Sequence, residues 1–256
     1  MTDSPKSNSF LNAPLPVVFF KTAAPIILIM LVNGSFSLVD AYFLGVFVGA
    51  DALTAVTSMF PAFIMIVALS TLVSNGFASL MARHLGAGDR TKSVEIFSQA
   101  ISLSLVVCCF LIALFFLGGN VLVTSVSNGS ILIANMSYSY ISILVFFSPL
   151  LFILTINGDS LRCEGQVAFM AFISLLSVLL NGVFNYLLIV GMNWGVEGSA
   201  YGTVLAQGIS LVIIFFYRKY NKSDLGLQVI RFSRSRQHWL TFLSLGAPSS
   251  LNYIGL

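Results

Sequence analysis

The sequence predicts an all-α, polytopic membrane protein, and three observations lead to this fold class. Of its 256 residues, 57% are hydrophobic and only 8% are charged, whereas about 25% of the residues in soluble domains are charged. The apolar residues gather in long segments, and the basic residues fall between alternate segments. This composition excludes a disordered chain, a coiled coil and a small disulfide-stapled module. A formal net charge of only +3, without a continuous basic surface, argues against a nucleic-acid partner.

Six long apolar segments and the start of a seventh have the length of membrane-spanning helices. They cover residues 17–44, 52–81, 94–118, 130–157, 167–190, 196–217 and 239–256. Their apolar residues do not alternate with a period of two, as those of barrel strands would, so the segments are predicted to be helices. The first segment is long for one crossing, and Pro25 is predicted to be its hinge because proline removes a backbone donor.

The basic residues predict the orientation of the chain. All 12 Lys and Arg residues fall on one side of the predicted membrane, which the positive-inside rule assigns to the cytoplasm. The chain is therefore predicted to be a multi-pass protein of the plasma (inner) membrane with a cytoplasmic amino terminus. Four parts follow: a tail (1–16), a six-helix lobe (17–217), a basic cytoplasmic linker (218–238) and the start of a seventh helix (239–256). A solvated linker is favoured over a nucleic-acid or anionic-lipid patch.

Asp40 stands out among the acidic residues because it lies inside an apolar segment, whereas the others are placed near segment ends or in loops. An aspartate at the centre of a membrane helix costs about 2.5–3.5 kcal/mol on insertion scales. The residue could instead cap a helix or pair with a neighbour near the outer interface. The predicted outer loops contain no Lys or Arg to neutralise it, so a functional role is favoured.

Helical spacing places further polar residues on shared faces. A single Ser or Thr in a membrane helix most often joins neighbouring helices by a hydrogen bond. Asn181 and Asn185 of the fifth segment, taken together with Asp40 and Thr203, instead predict a polar cavity. Further polar residues are expected to support it: Asn33, Ser37, Tyr140, Ser177 and Gln207.

Catalytic motifs are absent from the sequence. There is no His-Glu-x-x-His pair, no Gly-x-Ser-x-Gly turn and no Gly-rich phosphate loop followed by lysine. His84 and His238 fall in the predicted cytoplasmic loops, far from Asp40. The sequence therefore predicts a protein that is not an enzyme and that needs no organic cofactor.

Four stretches resemble conserved parts of the multidrug and toxic compound extrusion (MATE) transporters. They are SLVDAYFLG (37–45), which follows Pro25, ARHLGAGDR (82–90), NGDSLRCEG (157–165) and GVEGSAYGT (195–203). The order and spacing of the stretches are also similar, and the resemblance extends over nearly the whole chain from about Pro14.

The resemblance implies an antiporter, coupled to H⁺ or Na⁺, that exports organic cations or drugs across the membrane. Its fold would be two six-helix lobes, of which this chain resembles the amino-terminal half plus the beginning of the seventh helix. The implied coupling site comprises Asp40, Asn181, Asn185 and Thr203. If the coupling ion is Na⁺, Asp40, Asn181 and Thr203 would bind it. The implied partners are membrane lipid, small organic cations and a second six-helix lobe.

This chain departs from the family pattern in two ways. Asn185 stands where many similar members have a second aspartate, which weakens a Na⁺ site and favours proton coupling through Asp40. The chain is also about half as long as the family, so a truncated product, a fragment or a lobe that joins a second one is expected. Two alternatives therefore remain: an inactive half-transporter or membrane scaffold, and a lipid-linked saccharide flippase. The flippase would need basic residues in the middle of the spans, to hold a pyrophosphate group, and this sequence has none there.

Overall fold

A computed structural model describes residues 27, 31, 34–35, 38–127, 129–220 and 236–254, with side chains up to residue 250. Every regular element in these residues is a helix. Pro25, Asn33 and Ser37, predicted as hinge and supporting residues, lie outside the described part of the chain. The same holds for most of the predicted first span (17–44) and for much of the predicted linker.

Eight helices follow one another in the described residues. They are α1 (Leu38–Val48), α2 (Ala50–Gly86), α3 (Arg90–Val126), α4 (Ile131–Phe146), α5 (Ser148–Cys163), α6 (Val167–Asn185), α7 (Gly195–Tyr220) and α8 (Trp239–Ile254). Two of them continue into or end in a wider π-helical turn: α1 ends with Leu44–Val48, and α6 is followed by Tyr186–Gly191. α7 ends at Tyr220, so it includes the first three residues of the segment 218–238 that was predicted to be a linker.

Four helices are long and apolar enough to cross a membrane, namely α2, α3, α6 with its π-helical turn, and α7. α4 and α5 together qualify as a fifth span that is bent by 47°. The bend has a cause in the sequence, since Pro149 near the start of α5 lacks the N–H that would continue the helix. The fourth predicted segment (130–157) thus comprises two helices with a bend between them.

The helices bury an apolar core and expose an apolar outer surface. The main core lies among α2, α3, α4 and α5, where the rings of Phe77 and Phe97 meet edge to face. Large apolar side chains such as Leu117 and Ile131 are exposed on the outside. Such an exterior suits a chain surrounded by lipid rather than by water.

Asp159 lies inside α5, although it was expected near a segment end or in a loop because it follows the predicted segment 130–157. α5 continues to Cys163, and the Asp159 side chain is buried against α2. A basic residue one turn later offsets its charge, as described below, which explains why an acid can continue this apolar helix.

Candidate functional site

Asp40 lies where α1, α6 and α7 meet, and two asparagine amides donate hydrogen bonds to its carboxylate. Asn185 Nδ2 donates to Asp40 Oδ1 at 2.5 Å, and Asn181 Nδ2 donates to the same oxygen at 3.3 Å. Asn181 Nδ2 also lies 3.2 Å from Thr203 Oγ1, which accepts from it. Asn185 Nδ2 further donates to Asn181 Oδ1 at 3.3 Å. The structure thus brings together all four residues that the resemblance implied for the coupling site, and we refer to them as the Asp40 cluster.

The Asp40 cluster is buried inside the helical bundle. Asp40 is 7% exposed, and Asn181 and Asn185 are 0% exposed. No described lysine, arginine or histidine forms an ion pair with Asp40. The charge of the carboxylate is therefore met only by neutral donors, in surroundings where an uncompensated charge is costly. Such a group favours gaining a proton or a cation.

The helical spacing explains how the cluster forms. Asn181 and Asn185 are four residues apart on α6, so they project from one face. Asp40 lies one turn before the π-helical end of α1, and Asn185 lies directly before that of α6. The two π-helical turns contact each other, and π-helical turns are frequent at functional sites. Gly49 closes α1 with φ 123°, a conformation that favours glycine.

Gly202 on α7 is a residue of the site that sequence reasoning missed. A Cβ at this position would overlap Asn185 Oδ1, so the absence of a side chain lets α7 approach α6. Gly198, one turn earlier, lies close to the backbone of Leu188 in the π-helical turn. In the sequence, Gly198 and Gly202 form a small-residue pair that fits close helix approach, but such pairs are frequent in membrane helices and say little alone.

The described supporting residues are all buried but occupy different places. Ser177 lies one turn before Asn181 on α6, and Tyr140 on α4 is close enough to interact electrostatically with Asp40. Gln207, one turn beyond Thr203, lines a small cavity at the α4–α5 bend together with Ser148. The residues of the predicted polar cavity thus form a packed cluster at Asp40, and Gln207 lines a separate small cavity one turn further along α7.

The donor set of the cluster can be compared with the needs of a cation. One carboxylate, two amides and one hydroxyl meet at the site, and hard cations bind oxygen ligands. The amide nitrogens face the carboxylate, so Na⁺ would require the amides to turn their oxygens inward. Within the described residues, no group of three or more His, Cys, Asp and Glu is placed to hold a metal ion. Na⁺ at Asp40, Asn181 and Thr203 therefore stays a prediction.

A ladder of polar contacts joins α2 and α5 away from the Asp40 cluster. Ser70 Oγ lies 2.7 Å from Thr155 Oγ1, and one turn further Ser74 donates to Asp159 Oδ2. The other oxygen of Asp159 pairs with Arg162 Nη2 at 2.9 Å. The ladder fixes the register of the two helices, which is the ordinary role of polar residues between membrane helices.

An ion pair with a buried arginine lies at the same end of the bundle. Arg218 on α7 is 1% exposed, and its Nη2 lies 3.3 Å from Glu164 Oε1. The guanidinium carbon is 5.5 Å from the ring centroid of Phe97 on α3, within the range of a cation–π contact. Ser160 Oγ also donates to Glu164 Oε1 at 2.9 Å. Arg218 therefore joins α3, α5 and α7.

The described residues form an all-helical, multi-pass bundle in which a buried carboxylate lies between amide donors. The sequence model of the MatE family matches residues 25–187, and the chain belongs to this family of multidrug efflux transporters. These findings confirm the predicted family.

Named relatives agree with the family assignment at low sequence identity. The FAD transporter of Shewanella oneidensis is 23% identical over 95% of this chain and 54% of its own length. Multidrug and toxin extrusion protein 2 of Oryctolagus cuniculus is 27% identical over 91% of this chain and 38% of its own length. The chain thus spans about half the length, or less, of the curated relatives it matches.

A solved structure supports the fold. A MOP superfamily transporter from Pyrococcus furiosus superposes with a TM-score of 0.83 at 24% identity, covering 99% of this chain and 56% of that one. At this identity the comparison shows the fold alone, and it confirms the predicted fold class: an all-helical membrane bundle that corresponds to about half of such a transporter.

Proposed function

We propose that this chain supplies the amino-terminal half of a cation-coupled antiporter that exports organic cations, and that the Asp40 cluster is its coupling site. The observation that carries the proposal is the buried carboxylate of Asp40, held by two amide donors without a basic partner among the described residues. A carboxylate in these surroundings exchanges between an ionised form, when it is open to water, and a neutral form, when it is enclosed. This exchange is what coupling to an ion gradient requires.

We propose H⁺ rather than Na⁺ as the coupling ion. The cluster contains a single carboxylate, and both amide nitrogens point toward it as donors to a negative charge. When Asp40 gains a proton it becomes a donor itself. Asn185 Oδ1 is buried and has no hydrogen-bond partner among the described residues, so it is the acceptor that a turned amide would offer. Protonation then changes the hydrogen bonds between α1 and α6.

The test is gradient-driven efflux of a fluorescent organic cation such as ethidium from membrane vesicles. The chain is examined alone and together with a second six-helix half, with pH and Na⁺ gradients imposed separately. Efflux driven by the pH gradient supports the proposal, whereas efflux that responds only to Na⁺ overturns proton coupling. Absence of efflux in both arrangements favours a scaffold. The name of the Shewanella oneidensis relative makes FAD a useful anionic comparison substrate.

Asn185→Asp is expected to raise the dependence of efflux on Na⁺. The substitution adds a second carboxylate beside Asp40, and two carboxylates attract a hard cation more strongly than one. We expect a given Na⁺ gradient to raise the efflux rate by roughly tenfold more than it does in the unaltered chain. An unchanged Na⁺ response would show that Asn185 is not part of the coupling site.

Gly202→Ala is expected to weaken coupling through sterics alone. The added Cβ would overlap Asn185 Oδ1, so Asn185 must move away from Asp40 or α7 must move away from α6. Overpacking of this kind typically costs about 1–3 kcal/mol, and we expect gradient-driven efflux to fall roughly tenfold. Gly208→Ala is the matched control, because a Cβ there meets no atom within 4 Å. Equal efflux in both variants would contradict the role of Gly202.

A further inference from the structure

The backbones of α8 and α2 are in direct contact. A connecting segment alone would hold the two helices in one chain but would not require such a close contact. We propose that the face formed by α2 and α3 is a docking surface for a membrane helix, that α8 of this chain is its occupant, and that α8 stays attached without the segment 221–235. The inference is independent of the proposed coupling role, because it concerns residues at a distance from the Asp40 cluster.

Two glycines make the contact reciprocal. A Cβ at Gly76 on α2 would overlap the carbonyl oxygen of Phe242 on α8, and a Cβ at Gly246 on α8 would overlap that of Leu72 on α2. The contact residues are four apart on each helix, and their order shows that the helices run in opposite directions. Small residues that let two backbones touch are a main device of helix association in membranes, and each glycine Cα–H can add a weak hydrogen bond to the facing carbonyl.

A buried glutamine on α3 holds the beginning of α8. Gln99 is 0% exposed, and its Oε1 accepts a hydrogen bond at 3.1 Å from the backbone N–H of His238, the residue before α8 begins. Its Nε2 donates at 3.0 Å to Glu95 Oε1, which fixes the orientation of the amide. In a capping box, a Glu or Gln in the first turn of the helix accepts a hydrogen bond from the N–H of the N-cap residue, and Gln99 makes this contact from α3.

The Phe242 side chain adds an apolar anchor between these two polar and backbone contacts. It is 0% exposed and belongs to the main core together with Phe77 on α2. Capping, ring burial and glycine contact therefore occur within the first half of α8 and involve two different helices. Together, these three contacts require a docked helix that begins at the level of Gln99 and has a phenylalanine four residues before a glycine. A helix held in this way cannot swing freely about the connecting segment.

The experiment separates docking from covalent attachment. A site-specific protease sequence is inserted between Lys222 and Arg231 of the full chain, with different affinity tags at the two ends. The protein is cleaved in membranes, extracted in mild detergent and purified by the amino-terminal tag. We expect the fragment with α8 to copurify with the rest of the chain. Separation of the two fragments on extraction would overturn the proposal.

Glycine variants identify the contact. Gly246→Ala should reduce the copurified fraction by at least about tenfold, because the Cβ overlaps the Leu72 carbonyl. Alanine favours helices more than glycine does, so α8 itself is not weakened, and the substitution leaves α2–α7 untouched. Gly76→Ala should act in the same direction from the other helix. Gly208→Ala, which adds a Cβ in open space on α7, should retain the fragment. Retention by Gly246→Ala at the unaltered level would refute the glycine contact.

Discussion

Asp40→Asn is expected to abolish gradient-driven efflux while the lobe still folds in the membrane. Asparagine has nearly the same shape as aspartate and an oxygen that accepts from Asn181 and Asn185, so the cluster can keep its hydrogen bonds. Its side chain cannot ionise, and the exchange between charged and neutral states is lost. One charge crossing 100 mV supplies about 2.3 kcal/mol, and one pH unit supplies about 1.4 kcal/mol. Together they support a roughly several-hundred-fold accumulation ratio, which the variant should lose.

The measurement compares initial efflux rates under an imposed pH gradient, normalised to the amount of inserted protein. Asp51→Asn is the matched control, because Asp51 lies in the first turn of α2 and is exposed. It should transport at the unaltered rate. Equal membrane insertion of both variants shows that any loss concerns coupling. Rates in Asp40→Asn that match those of the unaltered chain would remove Asp40 from the mechanism.

The Asp40 cluster could be predicted largely because lipid makes polar residues conspicuous. An aspartate inside an apolar run is costly, and the four-residue spacing of Asn181 and Asn185 defines a face. What the sequence could not show was which face meets which helix. The hydrogen bond between Asp40 and Asn185 joins residues 145 positions apart, and that contact depends on the packing of α1 against α6. The resemblance to a known family supplied the grouping that spacing alone left open.

The buried charges at the other end of the bundle escaped the same reasoning. Counting basic residues for orientation treats each Arg as solvated, so Arg218 was placed in a linker although it is 1% exposed. Asp159 was expected near a segment end or in a loop because it follows the predicted segment 130–157. Both errors have one cause: the compensating partners, such as Glu164 for Arg218, lie on other helices or beyond the expected helix end. Local hydropathy contains no information about these pairs.

Helix–helix contacts through glycine were equally hidden. Gly76 and Gly246 are 170 positions apart, and neither has a second glycine four residues away on its own helix. By contrast, Gly198 and Gly202 form such a pair and do serve close packing. A glycine within a helix becomes informative only when the partner backbone is known, because its role is to leave room for atoms of another segment.

Arg218→Met is expected to destabilise the lobe more than any other single change to its charged residues at that end of the bundle. Methionine keeps much of the length and apolar packing against Phe97 but removes the guanidinium that pairs with Glu164. Removing one member of a largely buried ion pair typically costs about 3–5 kcal/mol. For a protein of this size we expect the melting temperature in detergent to fall by roughly 10 °C. Size-exclusion profiles of heated samples measure this change.

Two comparisons separate the ion pair from a general effect of losing an arginine. Lys219→Met removes the neighbouring cation, which is exposed, and should change stability by less than about 0.5 kcal/mol. The double variant Arg218→Met with Glu164→Gln removes both charges and should recover most of the lost stability, since a neutral pair of similar volume is often as stable as the buried ion pair. Equal destabilisation by the single and double variants would show that Arg218 acts through packing on Phe97 rather than through its charge. α7 also carries Thr203, so loosening of α7 near position 218 should disturb the Asp40 cluster. We therefore expect a reduced efflux rate in the single variant but not in the double variant.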